Sequence, residues 1–312
     1  MFPRALVAAL ALLWAGFSGL GCAATQAPAA PARAEAGSAE SDEQLLERVL
    51  LALLDGEALY TVAGGLKPVS SGYWTTSYSL EAPDLREIAR VQRLLRELDG
   101  VDELEFGVMS FATPHEGKRS AHAWVAHRAQ LRRVLTERAE FFAPLGIGAH
   151  QDADEVLAIV ERLPRLERFR AYGLLFGYPD YAVEFFVDAA AEEERSGALP
   201  AREFAHVATF GAASHRFVWA VPAGHVENDA DRALRTRAER VLERYRVLRE
   251  RFIGPSRPGA PALLRATSDG ARLTPTTFAR HRRRRELVDA NAVGVCLALS
   301  SHLRTTTKNI AI

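Results

Sequence analysis

Apolar side chains recur at helical spacing along most of this chain and at strand spacing in a few short runs. Leu45, Leu46, Val49, Leu50, Leu53 and Leu54 share one helical face. They follow Ser41-Asp42-Glu43-Gln44, which has the form of a capping box. The pattern predicts a helix to about Leu54, ended by Asp55-Gly56. A second helix is predicted from Asp84 to about Leu98, with Leu85, Ile88, Val91, Leu94 and Leu95 inward. Leu104, Phe106 and Val108 then alternate as in a half-buried strand reaching Phe111. After a turn over Thr113–Lys118, Ala121–His127 reads as a short strand. Further helices are predicted over Gln130–Phe142, from Asp152 or Asp154 to about Leu163, and from Pro164 toward Leu175. Two more cover Tyr181–Glu194, after the break at Gly177–Asp180, and Asn228–Phe252. Residues 203–210 and 215–221 read as the strands of a hairpin. Residues 60–74 follow neither period. Their glycines, Lys67-Pro68, two serines, and Tyr60 and Trp74 read as a structured loop.

These elements predict an α+β fold. It is a helix-rich single domain over residues 41–254, with a small antiparallel sheet from 102–111, 121–126 and the 203–221 hairpin. Composition agrees with a globular chain: 48% of residues are hydrophobic and 25% charged, with no net charge. That balance argues against a dedicated nucleic-acid partner, which calls for a basic excess.

The two ends have a different composition. Arg4 precedes an apolar run, Ala5–Phe17, of the length of a signal-peptide core and too short to span a membrane comfortably. Ser18-Gly19-Leu20-Gly21-Cys22 then resembles the lipobox of bacterial lipoproteins, although Gly19 stands where that family usually has an aliphatic residue. The resemblance implies that residues 1–21 are removed and that Cys22 carries acyl chains. The protein would then be anchored in the cell envelope without a spanning helix. Cleavage near Ala24, with loss of Cys22, is the alternative. Residues 22–40, rich in Ala, Pro, Ser and Gly, read as a disordered tether. Residues 255–312 read as a basic, poorly ordered tail. They include Arg280-His281-Arg282-Arg283-Arg284-Arg285, which could contact anionic lipid headgroups. The same composition fits an out-of-frame extension of a GC-rich gene.

Cys22 and Cys296 are the only cysteines. A lipidated Cys22 leaves no intramolecular disulfide, and a Cys-based zinc site would need more thiolates. Lys67 with Ser70 and Ser71 could bind an anion or substrate, or form a Ser–Lys pair, but neither S-x-x-K nor G-x-S-x-G spacing is present. Tyr178 and Asp180, with Glu184 one turn on, could present paired polar groups, although Asp180 also suits a helix cap. His115, Glu116, His122 and His127 cluster in sequence. His122 and His127 stand five apart, which puts them on opposite faces of a strand, so no metal or other cofactor is expected. His206 and His215 would face each other across the hairpin. The expected role is binding or structural support in the envelope. The alternatives are a hydrolase using the 60–74 loop or the 115–127 histidines, and an accessory protein acting through a partner.

Overall fold

The computed structural model describes residues 40–211 and 217–272. Contacts divide the chain between Ser268 and Asp269, and the first unit holds every described element except the end of the last helix. In order these are α1 (Asp42–Asp55), α2 (Leu59–Val62), β1 (Val69–Ser79), α3 (Arg86–Arg96), β2 (Leu104–Ser110) and β3 (Lys118–His127). They are followed by α4 (Arg128–Glu137), α5 (Ala139–Phe142), α6 (Ala153–Val160), α7 (Arg165–Leu175) and α8 (Asp180–Ser196). The series ends with β4 (Arg202–Val207), β5 (Phe217–Pro222), α9 (Asp229–Phe252) and α10 (Ala260–Arg272). The fold is α+β and helix-rich, with small antiparallel sheets.

Strand β3 lies at the centre of a three-stranded antiparallel sheet, between β1 and β2. Successive strand residues point to opposite faces, and both faces are covered. Ala123 and Val125 join a core made with α1, α3, α9 and α10, through Leu50, Leu53, Leu95, Leu242 and Leu263. Trp124 and Ala126 join a second core with Leu131, Phe142, Val156, Val160 and Leu175 from α4 to α7. This double cover explains the unbroken burial from Ala121 to His127. It also explains a glycine in mid-strand. Gly107 pairs with Trp124, and a Cβ at Gly107 would lie 2.5 Å from the indole ring.

Four expectations are corrected. Residues 69–74 of the expected loop belong to strand β1, because β1 is buried against β3 from Val69 to Ser71 and shifts register before Thr75. The 203–221 hairpin forms a sheet of its own, β4–β5, over a third core containing Tyr60, Leu66, Phe217, Trp219 and Ala238. The helix predicted over 130–142 is broken at Arg138, whose backbone leaves the helical region. The folded unit also continues past residue 254: α10 buries Ala260, Leu263 and Leu264 in the first core. The run Arg280–Arg285, Cys22 and Cys296 lie outside the described residues. No described helix is long and apolar enough to cross a membrane.

The helix caps follow the local rules. Ser41 and Gln44 form the reciprocal capping box at α1, and Asp152 accepts from Glu155 N at α6. At its other end α1 is tied to α9. Asp55 accepts from the Tyr245 hydroxyl at 2.7 Å and from the Arg249 guanidinium at 2.7 and 3.0 Å. Gly107→Ala is expected to cost about 1–3 kcal/mol, the usual penalty for overpacking, read as a lower urea midpoint with an unchanged m-value.

Candidate functional site

Lys67 follows the turn after α2 and precedes β1, where its neighbour Pro68 accepts from His127 N at 2.9 Å. That contact holds the start of β1 against the end of β3 and points the lysine inward. The side chain is fully buried, unusual for a residue type that normally keeps its ammonium in water. Its Nζ lies 4.2 Å from the Phe217 ring centroid, 5.1 Å from Tyr178 and 5.4 Å from Phe176. The fourth wall is Glu57, whose Oε2 is 3.1 Å from Nζ. Ring faces carry negative quadrupole density and attract the cation, while the carboxylate supplies the countercharge. Burial drives the lysine's pKa down, and Glu57 opposes that shift.

The cage depends on the α7–α8 connection passing close to residues 66–68. Gly177 sits there at φ 72°, with its missing Cβ 2.4 Å from the Leu66 carbonyl oxygen. Only glycine permits both that backbone and that approach. Phe176 and Tyr178, on either side, supply two of the rings. Tyr178 stacks on Phe217 at 6.0 Å, and Phe217 in turn meets Tyr60 at 5.6 Å. Burial, with Glu57 adding to it, pushes the Tyr178 phenol well above its ordinary range.

Of the five residues predicted from the loop and the helix start, Lys67 and Tyr178 come together. Ser70 does not join them: its hydroxyl is 2.8 Å from that of Thr61, and both are buried. Ser71 alternates to the other face of β1, opposite Trp124, and its hydroxyl has no hydrogen-bond partner among the described residues. Asp180 lies at the surface in the first turn of α8, not at the cap, and binds Arg138 at 2.7 and 2.8 Å. Glu184 pairs with Arg170, so the two carboxylates are committed to separate arginines. Asp180 therefore stands apart from the lysine cage.

The histidines do not converge either. His115 lies at the β2–β3 turn, bridged to Lys118, beside Glu116 at φ 49°. His122 is buried opposite Met109 and meets Phe111 edge-on at 4.6 Å. Burial pulls its pKa down to about 4. His127 is also buried, on the other face of β3, with a pKa lowered by burial against the pull of Glu103. His206 pairs with Val218, and His215 lies outside the described residues. Among the described residues no group of three His, Cys, Asp or Glu side chains could hold a metal ion.

Two polar networks were not foreseen. Asp231, 3% exposed, accepts from the Tyr181 hydroxyl at 2.5 Å and lies 2.7 Å from His225 Nε2. Trp219 Nε1 donates to the same hydroxyl at 3.2 Å, and Asp231 also completes a capping box with Asn228. Burial raises the Asp231 carboxyl, but these hydrogen bonds outweigh it and hold the pKa below the ordinary value. Their only local sequence signal is the cap spacing from Asn228 to Asp231. In the second network, buried Glu161 accepts from Ala112 N at 2.8 Å and from the Tyr172 hydroxyl. It links the segment after β2 to α7, and nothing in local spacing announces it.

Two outcomes are expected. Lys67→Ala leaves Glu57 and the rings without their cation and should cost about 3–5 kcal/mol in urea unfolding, with Lys67→Met costing less because it refills the volume. For His122, the folded pKa of about 4 lies below the unfolded value near 6.5, so the unfolded chain binds the proton first. Its contribution is intact above about pH 6.5 and declines as pH falls toward 4, by up to about 3 kcal/mol. His122→Phe should lose less stability than the parent between those pH values. Comparison with models of protein families, with curated proteins and with solved structures returns no match.

Proposed function

We propose that this chain is a bacterial lipoprotein, anchored to the outside of a membrane by acyl chains on Cys22, whose folded domain binds a partner or supports the envelope. Support for the address is the order of segments in the sequence. A charged start and apolar core lead to the lipobox-like Gly19-Leu20-Gly21-Cys22, and an Ala/Pro-rich stretch separates that cysteine from Ser41. The first described helix begins directly after Ser41 with its own cap. Some 18 residues of such a linker would give the domain freedom from the bilayer surface, at about 5–6 Å times the square root of their number.

The observation that favours binding or support over hydrolysis is the commitment of Lys67. Its amine pairs with Glu57 and three rings while Ser70 bonds Thr61, so the pair that a Ser–Lys mechanism requires is not formed. The 115–127 histidines are likewise held apart, with His122 and His127 on opposite faces of β3. A run of arginines at 280–285 would add an electrostatic contact to anionic headgroups.

Cell fractionation of a bacterial host tests the address. The parent chain should sediment with membranes and dissolve only in detergent, and Cys22→Ala should appear in the soluble extracytoplasmic fraction. A parent chain that is soluble and unacylated would overturn the reading.

A further inference from the structure

An edge strand offers a row of N–H and C=O groups to any strand that can lie beside it, and proteins blunt such edges with charge, proline or a bulge. The three-stranded sheet has β1 and β2 at its edges. β1 is blunted: its register shifts between Ser71 and Thr75, with Gly72 at φ 84°. β2 is regular, and its register against β3 runs without a shift from Leu104 to Ser110. It contains no proline and no lysine. Its one charge, Glu105, is taken up by Arg128 and by Ala153 N.

The ladder fixes which groups face outward. Arg128 N donates to Glu103 O and Phe111 N to Ser120 O, each at 2.9 Å, so the odd-numbered residues of this stretch bond β3. Leu104, Phe106, Val108, Ser110 and Ala112 turn their backbone groups away. The two ends of this row are closed: Leu104 N donates to Val101 O, and Ala112 N to Glu161. Between them the N–H and C=O of Phe106, Val108 and Ser110 have no hydrogen-bond partner among the described residues. Buried backbone groups are almost always paired, so these groups face solvent. The side chains of Phe106 and Val108 are only partly buried against the first core, and Ser110 is exposed.

We propose that β2 pairs antiparallel with β2 of a second copy, about a two-fold axis at Val108, so that the two three-stranded sheets become one. Val108 then faces the partner's Val108, and Phe106 faces the partner's Ser110 in both directions. Each facing pair exchanges two N–H···O bonds, which satisfies every open group of the row on both copies. A second copy suits this edge because the row is its own complement under that axis, and the paired segment carries no charge to be repelled by its image. Phe106 and Val108 would gain apolar neighbours on the face they already share.

Sedimentation equilibrium of the full chain in density-matched detergent reads the association directly. The parent is expected at twice the mass of one chain when concentrated and at one chain mass on dilution. Deuterium exchange at the amides of Phe106, Val108 and Ser110 should slow as the dimer forms. Ser110→Pro removes one outward donor from each copy and leaves the ladder to β3 intact, because that N–H takes no part in it. The variant should weaken the dimer by about tenfold or more. A parent that keeps one chain mass at every concentration would overturn the proposal. So would a dimer whose three amides exchange as fast as in the monomer, or one that Ser110→Pro leaves at full strength. The exchange measurement needs no variant, so it decides the matter even if Ser110→Pro does not fold. Neither readout depends on the membrane address of Cys22.

Discussion

A strand buried on both faces cannot present any polar side chain to water, and that constraint organises the first unit. β3 is such a strand from Ala121 to His127. Its small residues, Ala121, Ala123 and Ala126, let helices approach from both sides. Trp124 and Val125 then fill the two cores in opposite directions. The helices α1, α3, α9 and α10 exist as a layer because one face of this sheet must be covered. Those from α4 to α7 answer the other face. At about 25 cal/mol per Å² of apolar surface buried, this double cover is a large favourable contribution to the fold.

Lys67 connects this arrangement to the third core. Phe176 belongs to the core under α4–α7, Phe217 to that under β4–β5, and Tyr178 packs against both. The ammonium lies where their rings meet. An apolar residue there would pack as well but would take no direction from Glu57. A charged one is tolerated only while all four partners are in place. The junction is therefore specific, at some expense in stability. The Asp231 network beside it works in the same way, using one carboxylate to cap α9 and to fix Tyr181 and His225.

Helices with one wet face could be read from the sequence almost to the residue. α1, α6, α8 and α9 each carry an apolar stripe and most have a recognisable cap. β1 could not be read, because Val69, Ser70 and Ser71 are all buried and two of them are polar. Alternation marks a half-buried strand, and this one is covered on both faces before its bulge. α10 was hidden for another reason: its buried Leu263 and Leu264 precede an arginine-rich run that dominates the composition of residues 255–312. Lys67 stood out as the lysine of an unusual loop, but its partners lie ten, 109, 111 and 150 positions away in the chain. No local spacing could name Phe176 or Phe217. Tyr178 was picked for its neighbours at the Gly177–Pro179 break, and Asp180 for a pairing that the surface arginines took instead.

The tie between Asp55 and the pair Tyr245 and Arg249 joins the first helix to the last long one across some 190 positions. Closing a loop of that length is slow, so this tie forms later than the nearer contacts of α1 with β1 and α3. Helix α1 shares its core with Leu95 and Val125 and also with Leu242 and Leu263, so the last part of its apolar face is covered only when the far end of the domain is present. A chain emerging from its amino end would leave that last part uncovered until α9 and α10 are made. Its maturation is then governed by arrival order: the first described helix can pack early on β1 and α3, and is fastened to α9 only when Tyr245 and Arg249 arrive.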